Sequence, residues 1–197
     1  AMLQKIAERL AEVEPQLRYR SFTDSAPVAE KSLAVRAGLG WIGRNSLLVT
    51  PQHGSMLHLG ELFISSDVDA YDEPYEGNGC GSCRACVNVC PNSAILDNCA
   101  IDTRRCISCR TIEREDVQSE PITLDGWIFG CDACQSVCPY NRRAPLHRNP
   151  HFNPILDPET LTDKRWAMMT AEEFDSLAGA TPLVRSGLER IKSNLEK

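Results

Sequence analysis

The sequence predicts an α+β fold built from three consecutive parts. Residues 1–76 alternate between helix-like and strand-like periodicity, which is typical of a mixed α/β portion. Residues 77–145 contain all ten cysteines of the chain. Residues 146–197 have the pattern of a short helical tail. With 197 residues, 42% of them hydrophobic, the chain is long enough for one or two domains with a real core.

The first part begins with a predicted amphipathic helix and a strand. Apolar residues recur there at helical spacing, at Leu3, Ile6, Ala7, Leu10 and Val13. The stretch "LRYRSF" (17–22) alternates as a strand does. Ser25 and Pro27 then predict a second helix over about 27–37, which Gly38 closes.

Two β-rich segments and a turn complete the first part, and helices complete the tail. "SLLVT" and "LGELFIS" are rich in strand-forming residues, and "PQHGS" between them is turn-like. In the tail, Thr170 and Glu173 match a capping box at a helix start. Thr181 followed by Pro182 predicts the start of the last helix.

The composition restricts the class of protein. No apolar run is long enough to cross a bilayer and no signal peptide is evident, which predicts a cytoplasmic protein without a membrane. In that compartment clustered cysteines favour cluster or metal ligation over disulfides. The formal net charge is −6, which argues against a general nucleic-acid-coating role.

The first cysteine motif is typical of bacterial two-cluster ferredoxins. Cys80, Cys83, Cys86 and Cys90 follow the spacing C-x2-C-x2-C-x3-C, and Pro91 comes directly after them. In this run three cysteines bind one [4Fe–4S] cluster and the fourth binds the other cluster. The motif therefore predicts a ferredoxin-like domain with two [4Fe–4S] clusters, and a protein that transfers single electrons.

The second motif lacks its first cysteine. Cys131, Cys134 and Cys138 match the last three positions of the same run, and Cys106 supplies the missing one if an insertion separates them. The crossing rule then assigns both ligand sets. Cluster one takes Cys80, Cys83, Cys86 and Cys138, and cluster two takes Cys90, Cys106, Cys131 and Cys134.

Two cysteines and one glycine motif remain outside this scheme. We interpret Cys99 as a small buried hydrophobe, and Cys109 as a spare thiol that competes with Cys106 for the ligand role. Zinc is the alternative metal, but its sites usually close with two C-x2-C pairs. "GLGWIG" (38–43) satisfies G-x-G-x-x-G, yet a helix precedes it and a β-rich segment follows, the reverse of a nicotinamide-binding fingerprint.

Several stretches together resemble the epoxyqueuosine reductase family, cobalamin-dependent iron–sulfur enzymes that complete the tRNA base queuosine. They are "TDSAPVAEKSLAVRAGLGWIGRNSLL", "GSMLHLGEL", "CGSCRACVNVCPNSAI", "RRCIS", "TIE" and "GWIFGCDACQSVCPYN". The tail "MTAEEFDSL…TPLVRSGLERI" is also similar. The resemblance implies a cobalamin-binding role for residues 1–76. It also implies that roughly the first hundred residues of the family lie outside this chain, so that this portion is truncated and the chain alone is expected to lack activity.

The resemblance implies a mechanism and its partners. The clusters would relay electrons to cobalamin, an external low-potential donor would supply them, and tRNA would be the substrate of a monomeric enzyme. Asp24 matches the proton donor of the family. From the sequence alone, a residue at the start of the helix near Pro27, stabilised by the helix dipole, is the favoured interpretation of Asp24, and the match to the family favours the acid.

Further contacts carry over by position. The resemblance implies cobalamin contacts, many of them through backbone groups, at Asp24, Ser25, Ala26, Asn45, Leu48, Leu59, Cys131 and Asp132. Leu48 and Leu59 read equally as core residues. Ser108 would lie near the tRNA. Arg142 and Arg143 belong to a local basic strip that could hold phosphates or form a solvated face.

Two other functions remain open at this point. One is a two-cluster ferredoxin-type electron-transfer subunit, and the other is a cobalamin enzyme similar to reductive dehalogenases. The 79 residues before Cys80 argue against a plain ferredoxin. "DSAP" and "GLGWIGRNSLL" favour the reductase over the dehalogenase-like enzyme.

Overall fold

The computed structural model describes residues 2–77, 79–113 and 121–196. By contact these residues form two compact units, each of which takes its residues from separate stretches of chain. Unit 1 comprises residues 1–43, 47–83 and 139–144, and unit 2 comprises 44–46, 84–138 and 145–197. The predicted division at residues 76/77 and 145/146 remains a prediction about sequence regions.

Unit 1 contains three helices and two small antiparallel sheets. Its helices are α1 (Met2–Val13), α2 (Glu30–Arg36) and α5 (Pro139–Arg143); its strands are β1 (Tyr19–Phe22), β2 (Trp41–Ile42), β3 (Leu48–Val49) and β4 (Glu61–Ile64). Tyr19 pairs with Ile64 in the sheet of β1 and β4, and Trp41 pairs with Val49 in the sheet of β2 and β3.

The structure shortens the second predicted helix. Residues 27–29 precede α2, which begins at Glu30 and has Ala29 as its N-cap without a side-chain hydrogen bond. Gly38 lies just beyond the helix with φ 70°, the left-handed conformation that favours glycine after a helix end. The predicted end of the helix is therefore confirmed, and the predicted start is wrong.

The structure confirms the order of elements around "GLGWIG". Helix α2 precedes the glycines and strand β2 begins within them. A dinucleotide-binding loop joins a strand to a following helix, with the phosphates at the helix N-terminus. This segment has the opposite order, as the sequence predicted.

Unit 2 contains the other helices and most of the cysteines. Its α-helices are α3 (Ala85–Val89), α4 (Ala133–Ser136), α6 (Asp163–Met168), α7 (Ala171–Ala178) and α8 (Leu188–Leu195); a π-helical turn spans Cys109–Glu113, and 3-10 turns span Pro150–Phe152, Pro158–Thr160 and Pro182–Arg185. A cluster of buried hydrophobic residues lies in the tail. It consists of Trp166, Met169, Phe174, Ala178, Leu188 and Ile191, and Ile128 of the cysteine-rich segment packs against it.

The helix caps of the tail follow the sequence in part. Thr170 accepts a hydrogen bond from the backbone of Glu173, 3.2 Å long, as an N-cap residue does. Thr181 caps the 3-10 turn Pro182–Arg185, and the last helix begins only at Leu188, after Gly187. The predicted start of the last helix is thus wrong by one short turn.

Among the described residues, no helix is both long and apolar enough to cross a membrane.

Candidate iron–sulfur site

The first cysteine motif folds as a turn followed by a short helix. The backbone N–H of Cys83 donates to the carbonyl of Cys80, 3.0 Å away. Helix α3 carries Cys86, and Cys90 is the residue at its C-terminal end. The Cys90 sulfur accepts a hydrogen bond from the backbone of Ala94, 3.3 Å long. Local backbone geometry therefore positions these cysteines.

Cys134 shows how closely several predicted ligands of unit 2 are gathered. Burial raises its pKa to about 11, and negative charge on Cys131, Cys86 or Cys106 raises it further. A hydrogen bond from the Asn45 side chain opposes this shift, and Asn45 is only 6% exposed. Without a cluster this thiol holds its proton, because a thiolate would be both desolvated and next to like charges.

The pKa of Cys131 responds to two further predicted ligands of cluster two, Cys106 and Cys90. Burial raises its pKa, and charge on Cys106, Cys90 and Asp132 adds to the shift, while a backbone hydrogen bond from Ala133 lowers it. Cys90 and Cys106 thus act electrostatically on Cys131, and Cys106 and Cys131 act on Cys134. A bound cluster would supply positive charge and take these ligands as thiolates, so that binding releases protons.

Cys106 interacts with two other proposed ligands of cluster two. Charge on Cys106 raises the pKa of both Cys131 and Cys134. Cys99 lies in a turn with φ 62° and is half-buried, so its side chain is less covered than expected for a small buried hydrophobe. These observations support Cys106 as the proposed ligand.

Thr111 joins the two stretches of chain that carry Cys106 and Cys131. Its hydroxyl donates to the carbonyl of Ile107, 2.9 Å away, and accepts from the backbone N–H of Gly130, also 2.9 Å away. The residue is completely buried. One side chain therefore ties the residue after Cys106 to the residue before Cys131.

Side chains of the tail donate hydrogen bonds to the segments that Thr111 connects. Ser186 donates to the carbonyl of Thr111 (2.6 Å), Arg190 to that of Ile112 (3.2 Å) and Asn194 to that of Ile128 (2.9 Å). The short turn before α8 and α8 itself therefore satisfy backbone carbonyls of the ligand-bearing segments, groups that are costly to bury unpaired.

The two proposed ligand sets differ in the units to which their cysteines belong. The proposed ligands of cluster two, Cys90, Cys106, Cys131 and Cys134, all belong to unit 2. Those of cluster one are divided, with Cys80 and Cys83 in unit 1 and Cys86 and Cys138 in unit 2. Within the described residues, no group of three His, Cys, Asp or Glu side chains forms a site for a single metal ion.

Asp24 lies in an exposed turn between β1 and α2. It has φ 49°, and its backbone N–H donates to the Glu30 side chain, 2.7 Å away. Because α2 begins at Glu30, Asp24 is six residues away from the helix start, and the interpretation as a helix-start residue is wrong. Its side chain is exposed and accessible to a ligand.

Glu30 connects the Asp24 turn to strand β4. Burial raises the pKa of Glu61 in β4, and the charge and hydrogen bond of Glu30 raise it further. The Glu61 carboxyl group therefore keeps its proton to a higher pH than a separate, solvated glutamate would. The Asp24 backbone is held by one member of this pair.

The other proposed cobalamin contacts differ in accessibility. Ser25 and Asp132 are exposed, and Ala26, Leu59 and Cys131 are half-buried. Leu48 is 4% and Asn45 is 6% exposed, so their side chains are covered, and Leu48 belongs to the core. Direct contact with a large ligand is therefore better supported for the Asp24 turn and Leu59.

The proposed tRNA contacts are also unequal. Arg142 is exposed on α5. The Arg143 guanidinium lies over the ring of Tyr140, 5.2 Å from its centroid, and its Nε donates to the carbonyl of Pro139 at 3.3 Å. Ser108 is half-buried just before the π-helical turn. Of these two arginines, Arg143 is therefore the one that is held against the protein surface.

The comparison with protein families first defines a class. Residues 79–141 match the family described as the 4Fe-4S double cluster binding domain. This segment is therefore similar to domains that bind two 4Fe-4S clusters, in agreement with the cysteine spacing.

Comparison with individual proteins then narrows the class. An epoxyqueuosine reductase from Cellulophaga algicola is 38% identical over 98% of this chain and 63% of its own length. The one from Escherichia coli is 42% identical over 98% of this chain and 51% of its own length. The chain is similar in sequence to these epoxyqueuosine reductases, and it spans about half to three fifths of the length of these curated relatives.

The fold is also similar to that of solved epoxyqueuosine reductases. The epoxyqueuosine reductase from Bacillus subtilis, with its catalytic loop swung out of the active site, superposes with a TM-score of 0.84 at 28% identity. An epoxyqueuosine reductase with an epoxyqueuosine-modified tRNA stem loop gives a TM-score of 0.83 at 27% identity. Each match covers 98% of this chain and 51% of the solved chain.

Sequence reasoning missed two residues of this site. Thr111 stands in the matching stretch "TIE". Trp41, whose indole N–H donates a hydrogen bond to the Cys80 sulfur, stands in the glycine motif that was excluded as a nucleotide site. Neither residue type has a characteristic spacing relative to cluster ligands. Only their tertiary contacts reveal a role.

Proposed function

We propose that the chain is the cluster-bearing part of an epoxyqueuosine reductase, in which two [4Fe–4S] clusters pass single electrons to cobalamin and epoxyqueuosine in tRNA is reduced to queuosine. The observation that carries this proposal is the ferredoxin-type cysteine spacing within a chain about 40% identical to such enzymes. The electrostatic effect of Cys90 and Cys106 on Cys131, and of Cys106 and Cys131 on Cys134, supports it.

The proposal assigns roles to residues of this chain. The eight cysteines of the two motifs bind the clusters. Asp24 lies on an exposed turn and donates a proton to the oxygen that leaves the substrate ring. Cobalamin, when bound, supplies the reduced metal centre that acts on the substrate. The side chains that would contact it directly are those of Asp24, Ser25, Ala26 and Leu59. Backbone groups would make the contacts at Asn45, Leu48, Cys131 and Asp132.

The proposal also includes the partners. A tRNA stem loop is bound by one structural neighbour, and we assign Ser108, Arg142 and Arg143 to phosphate or sugar contacts. An external low-potential donor reduces the clusters, and the enzyme acts as a cytoplasmic monomer.

Metal content and electron paramagnetic resonance test the cluster assignment first. After anaerobic reconstitution we expect roughly eight irons and eight labile sulfides for each chain, with signals of reduced clusters after addition of dithionite. A single zinc ion without labile sulfide would refute the assignment. Clusters without any cobalamin-dependent turnover, even in a protein of the relatives' full length, would favour the ferredoxin-type subunit.

Asp24→Asn tests the proton donor in a form of the protein that turns over. Asparagine preserves the shape of the side chain but cannot donate the proton, so we expect turnover to fall roughly 10²- to 10⁴-fold. Affinity for the tRNA stem loop should hardly change. Asp69→Asn, the same substitution at another exposed aspartate of unit 1, serves as the matched control. Turnover close to normal in Asp24→Asn would exclude Asp24 as the acid.

A further inference from the structure

The indole of Trp41 contacts the first cysteine of the first motif. Its Nε1–H donates to the Sγ of Cys80, with a nitrogen–sulfur distance of 3.5 Å. Trp41 is only 9% exposed, so water has little access to this hydrogen bond from the indole side. Both residues belong to unit 1.

Aromatic packing fixes the direction of this donor. Tyr75 stacks on Trp41 with ring centroids 5.1 Å apart, and Tyr140 packs edge-on with centroids 4.9 Å apart. The Tyr140 hydroxyl donates to the carbonyl of Gly79, 2.9 Å away. The indole therefore has little freedom to rotate away from the sulfur.

Gly79 completes the arrangement at the residue before Cys80. A Cβ atom there would collide with the indole ring of Trp41. The backbone that leads to Cys80 consequently passes directly against the ring, as only glycine permits. Three separate contacts thus hold Trp41 and Cys80 in one geometry.

An N–H donor to a ligand sulfur changes the energetics of electron uptake. Hydrogen bonds to the sulfurs and solvent exposure are two of the factors that set the reduction potential of an iron–sulfur cluster. The reduced cluster carries one more negative charge than the oxidised cluster. A donor therefore stabilises the reduced form more strongly, and the low dielectric of the aromatic surroundings increases the difference.

We propose that Trp41 is a positioning residue that raises the reduction potential of the cluster bound by Cys80. The inference rests on the proposed function only in that Cys80 binds a cluster. It gives the segment "GLGWIG" a role in electron transfer that is unrelated to nucleotide binding. It also makes the two clusters unequal, because this donor acts on only one of them.

The test is Trp41→Phe in the anaerobically reconstituted chain. Phenylalanine keeps an aromatic ring between Tyr75 and Tyr140 but has no N–H. In a redox titration followed by electron paramagnetic resonance, we expect a roughly tenfold lower ratio of reduced to oxidised form for one cluster at a fixed potential, equivalent to about 59 mV for a one-electron couple. The other cluster should titrate as in the unaltered chain.

Tyr75→Phe is the matched control, because it changes the same aromatic group and leaves the indole N–H in place. Its titration should equal that of the unaltered chain. Where Trp41→Phe fails to fold, benzothienylalanine at position 41 replaces the N–H with sulfur and preserves the shape of the indole.

The outcomes separate this inference from the proposed function. A full complement of iron with an unchanged potential in the position-41 variants would overturn the role of Trp41 and leave the clusters established. An equal shift in Tyr75→Phe would overturn it as well, because packing would then be the cause. Absence of clusters from the unaltered chain would overturn the cluster assignment, and this inference with it.

Discussion

The two cysteine motifs assemble their ligands by different means. The first has four cysteines within residues 80–90, and local turns and α3 position them. In the second, Cys106 and Cys131 are 25 positions apart, and the buried hydroxyl of Thr111 connects their surroundings. The first motif is encoded by local spacing, whereas the second requires the tail to hold distant segments together. The variants below test this contrast, from the largest expected effect to the smallest.

The ligand assignment itself predicts the largest effect. Cys106→Ser should lose roughly half of the bound iron, because a serine hydroxyl does not replace a thiolate as a ligand of cluster two. Cys109→Ser, three residues later on the chain, should keep all of it. Iron and sulfide analysis of both variants decides between the two cysteines. Equal loss in both, or loss only in Cys109→Ser, would reverse the assignment.

Cys83→Ser and Cys99→Ser form a second pair with the same logic. Cys83→Ser should lose cluster one, and the fold should become less stable because cluster binding and folding are coupled. Cys99→Ser should leave the iron content unchanged. A similar loss of iron in Cys99→Ser would show that this cysteine is a ligand and not a spare thiol.

Ile191→Ala tests the dependence of the second motif on the tail. Ile191 is completely buried in the tail core, and its truncation should cost roughly 2–5 kcal/mol in the free energy of unfolding. Denaturant unfolding measures this cost. Met168→Ala is the control, since Met168 is 71% exposed in the same tail. Chelator-induced iron release from cluster two should accelerate in Ile191→Ala more than release from cluster one, and equal acceleration would contradict the contrast.

Thr111→Val removes the hydroxyl that connects the two stretches and keeps the shape of the side chain. The Gly130 N–H is then left without its partner, which should cost roughly 1–3 kcal/mol. Release of iron from cluster two should again be faster. Thr111→Ser, which retains the hydroxyl, should restore the normal release rate. A serine variant as labile as the valine variant would mean that packing of the methyl group, and not the hydrogen bond, supports the site.

Glu61→Gln should have the smallest effect, and it lies in unit 1. Burial and Glu30 raise the pKa of Glu61, so the folded state binds this proton more tightly than the unfolded state does. Stability is therefore highest below the ordinary carboxyl pKa and falls as the pH rises through the raised value. Glu61→Gln should raise the unfolding temperature slightly at pH 8 and hardly at pH 4, and it should leave iron release from cluster two unchanged.

Glu12→Gln on the exposed part of α1 controls for the loss of one negative charge. A rise in the unfolding temperature that is equal at both pH values, or equal in the two variants, would exclude the Glu30–Glu61 interaction as its cause. Faster iron release from cluster two in Glu61→Gln would show that stability of unit 1 also governs the second motif.

The sequence allowed the class of protein to be predicted, because cluster ligation imposes a short and recognisable spacing. The same is true of elements with strong local signals. Helix α1, strand β1, the end of α2 at Gly38 and the cap at Thr170 all lie where the pattern predicted them. The start of α2 was predicted wrongly because Pro27 is compatible with a turn as well as with a first helical turn. The last helix was misplaced because Thr181 caps a 3-10 turn first.

The residues that support the ligands were decided only by tertiary structure. Thr111, Asn45 and Trp41 act on ligand segments or ligand sulfurs that are far from them in the sequence. A threonine, an asparagine or a tryptophan can satisfy many environments, so none of them has a periodicity or spacing that indicates its partner. Thiolate ligands must surround one cluster within a few ångströms, and that requirement leaves a trace in the sequence. A hydrogen-bond donor needs only one acceptor, and the fold alone determines which one it meets.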